Sequence, residues 1–119
     1  TPLPPASRPA PRAASYALRS TRQVLPDDVH WSMFVPNTMS MCSEAQQAHW
    51  LPRIEAGEVI GCYAQTELSH GSNVRALRTT ATFLRASDEL EIHTPDLEAT
   101  KWWPGGLGLT ANHAMVFAR

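Results

Sequence analysis

Cysteine, net charge and long apolar runs are all scarce in this sequence of 119 residues. Two cysteines are too few for the disulfide framework of a small secreted domain, so we expect a reducing, intracellular environment. Ten basic and eleven acidic residues leave a formal net charge of −1, which argues against a dedicated nucleic-acid-binding protein. No stretch approaches the roughly 20 apolar residues that span a bilayer, and we predict no membrane span. The length suits at most one domain with a modest core.

The first 25 residues differ in composition from the rest of the chain. They contain four arginines and no acidic residue, and five prolines lie within the first eleven positions. Proline removes backbone donors and fixes φ, so neither a helix nor a sheet extends through such a segment. Few large apolar side chains are present to offset the entropy of ordering. We therefore predict a disordered Pro/Arg-rich arm over residues 1–27.

Residues 28–57 have the spacing of short helices. Apolar side chains recur at helical intervals, although Pro36 interrupts the first stretch. Ser43 is placed to cap a second helix, and Gln46, three residues later, completes a capping box. Gly57 supplies a natural stop for that helix.

From residue 58 onward the pattern changes to that of short strands. β-Branched or alternating apolar residues occupy 58–67, 78–84, 89–94 and 113–119. Small polar residues of the kind that form turns separate these stretches. Helices followed by strands predict a fold of the α+β class.

Generic catalytic and metal-binding motifs carry little weight in this chain. The five histidines and two cysteines form no short-spaced pair typical of metal ligands, so we predict no metal site. The letters from Gly106 to Ala111 fit a dinucleotide-binding pattern, but the chain offers no acidic partner downstream, and we reject that interpretation. Glu67 has the chemistry of a general base, yet a carboxylate at a strand end is more often solvated or paired. We favour the paired or solvated interpretation.

Two segments are unusual for ordinary core sequence. The first, 61–73, ends a strand in polar residues and a Gly/Ser loop, which places hydroxyls and free N–H groups at an open sheet end. The second, 100–108, sets two adjacent tryptophans beside three glycines, a flat apolar wall next to approachable backbone. Together they suit a planar ring with carbonyl and N–H edges, such as a flavin. A tryptophan-rich core with flexible turns is the alternative, and composition alone favours it.

The two segments closely resemble the middle region of peroxisomal acyl-CoA oxidases, which are relatives of the acyl-CoA dehydrogenases. CYAQTELSHGSN (62–73) and TKWWPGGLG (100–108) are similar to the family's two signature stretches and occur in the same order. TTATF (79–83) and HAMVFAR (113–119) also resemble the family. The pattern T-E-x-x-x-G-S marks the wider superfamily, whereas Trp-Trp-Pro-Gly-Gly resembles the oxidases. The resemblance covers about residues 28–119 and leaves out the arm.

The resemblance implies an architecture and an activity. Residues 28–57 would end a helical N-terminal domain, and residues 58–119 would begin an incomplete antiparallel β-barrel that binds flavin. The activity would be that of a FAD-dependent enzyme of fatty acid β-oxidation, which converts acyl-CoA to trans-2-enoyl-CoA and passes the electrons to molecular oxygen as hydrogen peroxide. The peroxisome would be its location, and the full-length protein would be a homodimer.

The same resemblance gives four residues a role in binding. Thr66 would hydrogen-bond the pyrimidine edge of the flavin, Gly105 would approach the ring through its backbone, and Trp103 would pack near the ring. Ser72 would bind substrate, at the CoA or the pyrophosphate. The glycine at 105 stands where dehydrogenases tend to carry a hydroxyl residue and would leave room for oxygen. Ser69 stands where the family has glycine, which stiffens the loop if that position needs a positive φ.

No residue of this chain matches the family's catalytic glutamate, which removes the α-proton of the thioester and belongs to a helical C-terminal domain. We therefore assign no catalytic residue and expect the chain alone to be a fragment without activity. Two alternatives stay open. One is a non-catalytic module that binds flavin, acyl-CoA or an oxidase subunit. The other is an acyl-CoA dehydrogenase that passes electrons to a carrier protein, which the Trp-Trp-Pro-Gly-Gly run speaks against.

Overall fold

The computed structural model describes residues 27–119, so the arm predicted for residues 1–27 lies outside the described residues except at Asp27. The described part begins with a π-helical turn, His30–Phe34, that runs directly into helix α1, Val35–Met41. Pro36 lies in the first turn of α1, where a missing N–H is tolerated, so the helical stretch continues past it.

The second helix, α2, spans Glu44–Glu55 and begins and ends as the sequence predicts. The Ser43 hydroxyl accepts a hydrogen bond from the Gln46 amide at 3.3 Å, and the Gln46 side chain accepts one from the Ser43 amide at 2.9 Å. These two bonds are the expected capping box. Gly57 follows the helix with a φ of +75°, a backbone conformation in which glycine is favoured.

Four short strands follow the helices and form two separate two-stranded sheets. They are β1 (Gly61–Ala64), β2 (Thr80–Leu84), β3 (Glu89–His93) and β4 (His113–Val116). The α+β class is thus confirmed, and the sheets of residues 27–119 do not close into a barrel. The expected antiparallel pairing holds for β2 and β3, but it is wrong for β1 and β4, which are parallel. Their connection contains the whole β2–β3 hairpin, and a long crossover of this kind returns the chain in the same direction.

The core lies between the helices and the β1–β4 sheet. Phe34, Ile54 and Val59 are buried at its centre. Half-buried apolar side chains pack around them: Trp31, Val35, Trp50, Leu51 and Met115. A Cβ added at Gly61 would lie 2.1 Å from ring atoms of Phe34, so the first residue of β1 must be glycine for strand and helix to approach this closely.

The β2–β3 hairpin carries an apolar face that the described residues leave exposed. Phe83 lies opposite Leu90, and Ala81 lies opposite Ile92, so these four side chains share one face of the hairpin. The three large ones are all more than half exposed to solvent. Among residues 27–119, no helix has the length and apolar content required to cross a membrane.

Candidate functional site

The two unusual segments of the sequence lie side by side, joined by backbone hydrogen bonds. Residues 63–69 and 98–104 run in opposite directions and exchange four of these bonds, each between 2.9 and 3.0 Å. The amide donors and carbonyl acceptors are Tyr63 to Pro104, Trp102 to Thr66, Leu68 to Thr100 and Ser69 to Glu98. The open end of β1 is therefore fixed directly beside the tryptophan pair.

A cleft of about 250 Å³ opens where these segments meet the first helical turn. Its lining consists of Val29, Met33, Tyr63, Gln65, Thr66, Trp103 and Pro104, none of which carries a charge at neutral pH. Thr66 is half-buried, whereas the Trp103 side chain is 76% exposed and presents a flat apolar surface. The structure thus brings together two of the residues that the sequence analysis assigns to a cofactor.

Gly105 follows the cleft-lining Pro104 and packs against the first helical stretch. Its φ is +78°, and an added Cβ would lie only 2.6 Å from Cγ2 of Val29. Both features call for glycine, because other residues rarely adopt this φ and the overlap with a stiff β-branched side chain is severe. The missing side chain makes room for Val29, which is itself a wall of the cleft.

Ser72 is not brought into the cleft. It lies exposed in the loop after His70, and its carbonyl accepts a hydrogen bond from the Val74 amide at 3.0 Å. Ser69, just before His70, has no positive φ, so serine is accommodated there without backbone strain. The cleft is therefore lined by Thr66 and Trp103 but not by Ser72.

Several donors at the cleft have no hydrogen-bond partner within residues 27–119. They are the Thr66 hydroxyl and the backbone N–H groups of Thr66 and Trp103. The N–H of Gly105, one residue beyond the lining, has no backbone partner in this range either. A ring with carbonyl and ring-nitrogen acceptors along one edge matches such donors, and the apolar surface of Trp103 matches its flat face. The donor set and the absence of charge in the lining fit the isoalloxazine ring of FAD.

Glu67, next to Thr66, has its carboxylate buried on the other side of the segment, with the residue only 1% exposed. The carboxylate accepts hydrogen bonds from the amides of Arg78 and Thr79, from the Thr79 hydroxyl and from Lys101 Nζ. Burial alone would raise the pKa of Glu67, but these donors outweigh it and lower that pKa to about 2. The paired interpretation is confirmed, and so strongly satisfied a carboxylate is a poor proton acceptor.

His30 joins the first helical turn to the sheet. Its Nδ1 accepts a hydrogen bond from the Gly61 amide at 2.9 Å. Burial lowers the pKa of His30, although Asp27 acts in the opposite direction. The neutral ring thereby remains an acceptor, and this bond helps to hold Val29 and Met33 over the cleft.

The remaining candidates from the sequence form no second site. The amides of Leu109, Thr110 and Ala111 all point to the carbonyl of Gly106, so the glycine-rich stretch is a closed turn. Cys62 is buried, and burial raises the pKa of its thiol. In the described part of the chain, no three His, Cys, Asp or Glu side chains cluster as metal ligands would.

Sequence reasoning assigned no site role to five of the seven residues that line the cleft, one of which, Pro104, belongs to the unusual segment 100–108. Tyr63 and Gln65 lie two residues apart on the expected strand, where the alternation of side chains assigns them to one face. Val29 and Met33 are one helical turn apart and so share a face, which is a signal that the sequence does contain. No local sequence pattern indicates that this helical face meets the tryptophan segment, because tertiary packing determines that contact.

Comparison with known families extends the similarity beyond the signature segments. The family model described as "Acyl-coenzyme A oxidase N-terminal" matches residues 8–60. The expectation that the resemblance begins near residue 28 is therefore wrong, since the matched region reaches into the predicted arm.

Individual relatives cover most of this chain but little of their own length. Peroxisomal acyl-coenzyme A oxidase 1 of Arabidopsis thaliana is 56% identical over 92 residues, which are 77% of this chain and 14% of that protein. The solved structure of Arabidopsis thaliana acyl-CoA oxidase 1 has a TM-score of 0.85 at 48% identity, covering 94% of this chain and 17% of that one. Acyl-CoA oxidase-2 of Caenorhabditis elegans, bound with FAD, ascaroside-CoA and ATP, has a TM-score of 0.76 at 50% identity, covering 80% and 14%. The chain, which spans 14% of the length of its curated Arabidopsis relative, belongs to the acyl-CoA oxidase family of oxidoreductases.

Proposed function

We propose that this chain forms part of the flavin site of a peroxisomal, FAD-dependent acyl-CoA oxidase. The enzyme would desaturate acyl-CoA to trans-2-enoyl-CoA in fatty acid β-oxidation and give hydrogen peroxide from molecular oxygen. The observation that carries the proposal is the uncharged cleft in which Thr66 and Trp103 lie together beside unpaired backbone donors. The FAD bound to the Caenorhabditis elegans relative and the peroxisomal name of the Arabidopsis relative support it.

The cleft residues would bind and orient the flavin. Bound FAD supplies the redox chemistry, taking two electrons from the acyl-CoA and giving them to oxygen. The Thr66 amide and hydroxyl would donate to the pyrimidine edge, where preorganised donors stabilise the negative charge that accumulates on reduction. Trp103 would pack its exposed face against the ring, and the Gly105 amide would approach through the backbone.

Proton abstraction would need a residue from outside the described part of the chain. The α-proton of a thioester is weakly acidic, and removing it takes a positioned carboxylate. No carboxylate lines the cleft, and Glu67 is turned away and fully hydrogen-bonded. We therefore propose that the base is supplied by another part of the enzyme and that this chain alone does not turn over acyl-CoA.

The remaining parts of the proposal concern domains and partners. Residues 28–57 would be the end of a helical domain, and residues 58–119 the start of the β-domain, with the complete enzyme a homodimer. Ser72, in the exposed loop that follows Thr66, would contact the CoA or the pyrophosphate from outside the cleft.

A hybrid oxidase tests this function. In the hybrid, residues 28–119 replace the aligned segment of Arabidopsis thaliana acyl-CoA oxidase 1, and the unchanged parent is the control. We expect the hybrid to retain FAD and to form hydrogen peroxide in proportion to the acyl-CoA consumed.

Two other outcomes would contradict the proposal and identify the alternatives. Acyl-CoA turnover that needs an electron carrier and gives no peroxide would indicate a dehydrogenase. A folded hybrid that binds FAD or acyl-CoA without any turnover would indicate a non-catalytic binding module.

A further inference from the structure

Two buried polar side chains that the proposed chemistry does not use connect the segment of Thr66 to the segment of Trp103. Glu67 follows Thr66 directly, and Lys101 comes two residues before Trp103. Lys101 Nζ lies 3.2 Å from Glu67 Oε1, and both side chains are largely excluded from solvent. A charge pair removed from water in this way persists only when its remaining hydrogen-bonding groups also find partners.

The hydrogen bonds of this pair connect one wall of the cleft to the segment before β2. Lys101 Nζ also donates to the carbonyl of Gln65, a residue that lines the cleft, at 3.1 Å. Glu67 is tied to the segment before β2 by the Thr79 amide and hydroxyl, both at 2.8 Å. Its own amide and carbonyl close a turn with His70 through bonds of 3.2 and 3.1 Å.

We propose that Glu67 and Lys101 are positioning residues for the flavin cleft, in which their buried ion pair holds the Thr66 donors at a fixed distance from Trp103. The inference rests on the proposed flavin site. Neither residue lines the cleft, so each acts through its neighbour in sequence. Four backbone hydrogen bonds hold residues 63–69 against 98–104 but leave the donors at the cleft unpaired. The buried ion pair directly behind Thr66 adds rigidity to this part of the segment.

Two substitutions in the hybrid oxidase separate positioning from simple stability. Glu67→Gln keeps the size of the side chain but turns an amide donor toward groups that themselves donate. Lys101→Met keeps the aliphatic length and removes the cation, while the four bonds from Arg78 and Thr79 to Glu67 can remain. The control is Glu98→Gln, whose side chain is 71% exposed and pairs with Arg78 at the surface.

The measurements are the Kd for FAD of the deflavinated protein and the absorption spectrum of bound FAD, below the melting temperature of each variant. We expect Glu67→Gln and Lys101→Met each to raise this Kd at least about tenfold, as loss of supporting partners does at other preorganised sites, and to shift the flavin spectrum. Lys101→Arg, which preserves the cation, should recover most of the affinity. Because the pair acts as a unit, the double variant should be little worse than either single one.

The results that would contradict the positioning role differ from those that would contradict the proposed flavin site. An unsubstituted hybrid that binds no FAD overturns the flavin site itself. A hybrid that binds FAD, with variants that melt earlier but keep its Kd and spectrum, overturns the positioning role alone. If Glu67→Gln does not fold, Lys101→Met decides. If neither folds, the pair is a folding element, and the inference is wrong.

Discussion

Gly105→Ala in the hybrid oxidase isolates the packing that sets the width of the cleft. The added methyl meets two separate obstacles. The residue has a φ of +78°, and the new Cβ would lie 2.6 Å from Cγ2 of Val29. Gly57 offers a matched control, because its φ is +75° and nothing lies within 4 Å of an added Cβ.

The magnitudes of the two obstacles can be separated. Placing a non-glycine residue in the left-handed region costs about 1–2 kcal/mol, and this is all that Gly57→Ala should lose. Forcing a methyl group into a packed site adds about 1–3 kcal/mol, so Gly105→Ala should lose about 2–5 kcal/mol in total. Val29→Ala removes the nearest atom, Cγ2, together with Cγ1 at 3.2 Å, and keeps the Val29 Cβ at 3.0 Å. In that background the cost of Gly105→Ala should fall close to that of Gly57→Ala.

The assay is the melting temperature of the hybrid, followed by release of flavin fluorescence at matched FAD content. We expect Gly105→Ala to lower this temperature clearly more than Gly57→Ala does when Val29 is present. If Gly105→Ala lowers the melting temperature equally in the parent and in the Val29→Ala background, the prediction is wrong, because the overlap between the new Cβ and Val29 would then contribute nothing.

Three further predictions concern the parts of the fold that support the cleft, each measured as the melting temperature of the hybrid. Gly61→Ala should destabilise strongly, because the new Cβ would lie 2.1 Å from the Phe34 ring, and its cost should be smaller when Phe34 is already alanine; an equal cost in both backgrounds would contradict this. Ser43→Ala should cost about 1 kcal/mol by removing the cap of α2, and Ser43→Asp should retain most of the stability. Charged Glu67 stabilises the fold by about 3 kcal/mol at neutral pH, because its pKa falls from 4.5 to about 2 on folding. The parent hybrid should therefore be more stable than Glu67→Gln at neutral pH, and this difference should shrink as the pH falls from about 4.5 toward 2. A difference that stays constant over this range would contradict the lowered pKa of Glu67.

Local chemistry made much of the fold predictable from sequence. The capping box of Ser43 and Gln46 depends on residues three apart, and the structure shows both of its bonds. The strands appear near their expected positions, because alternation and turn residues are also short-range signals. The pairing of β1 with β4 is different in kind. It depends on a crossover that no local pattern encodes, and the expectation of an antiparallel partner was wrong.

The candidate site likewise contains residues that local sequence indicates and residues that only tertiary packing brings there. Thr66 and Trp103 stand out in sequence because a polar strand end and an exposed aromatic pair are locally unusual, and both line the cleft. Val29 reaches the cleft only through tertiary packing. Its close approach to Gly105 gives a packing reason for the glycine, whereas the family resemblance suggested only that the glycine leaves room for oxygen. Glu67 carries no local sign of burial. Its environment is built by Lys101 and by the segment before β2, which are distant in sequence.

FAD titration of two neighbouring tryptophan variants tests the flavin cleft most directly. Trp103 lines the cleft, whereas Trp102 is 54% exposed outside it and donates only its backbone amide, to Thr66. In the deflavinated hybrid, Trp103→Ala should raise the Kd for FAD about tenfold or more, because it removes the aromatic surface on which a flat ring packs. Trp102→Ala should leave that Kd within about twofold, as a surface substitution does. Equal effects of the two substitutions, or a larger effect of Trp102→Ala, would contradict the proposal that this cleft binds the flavin.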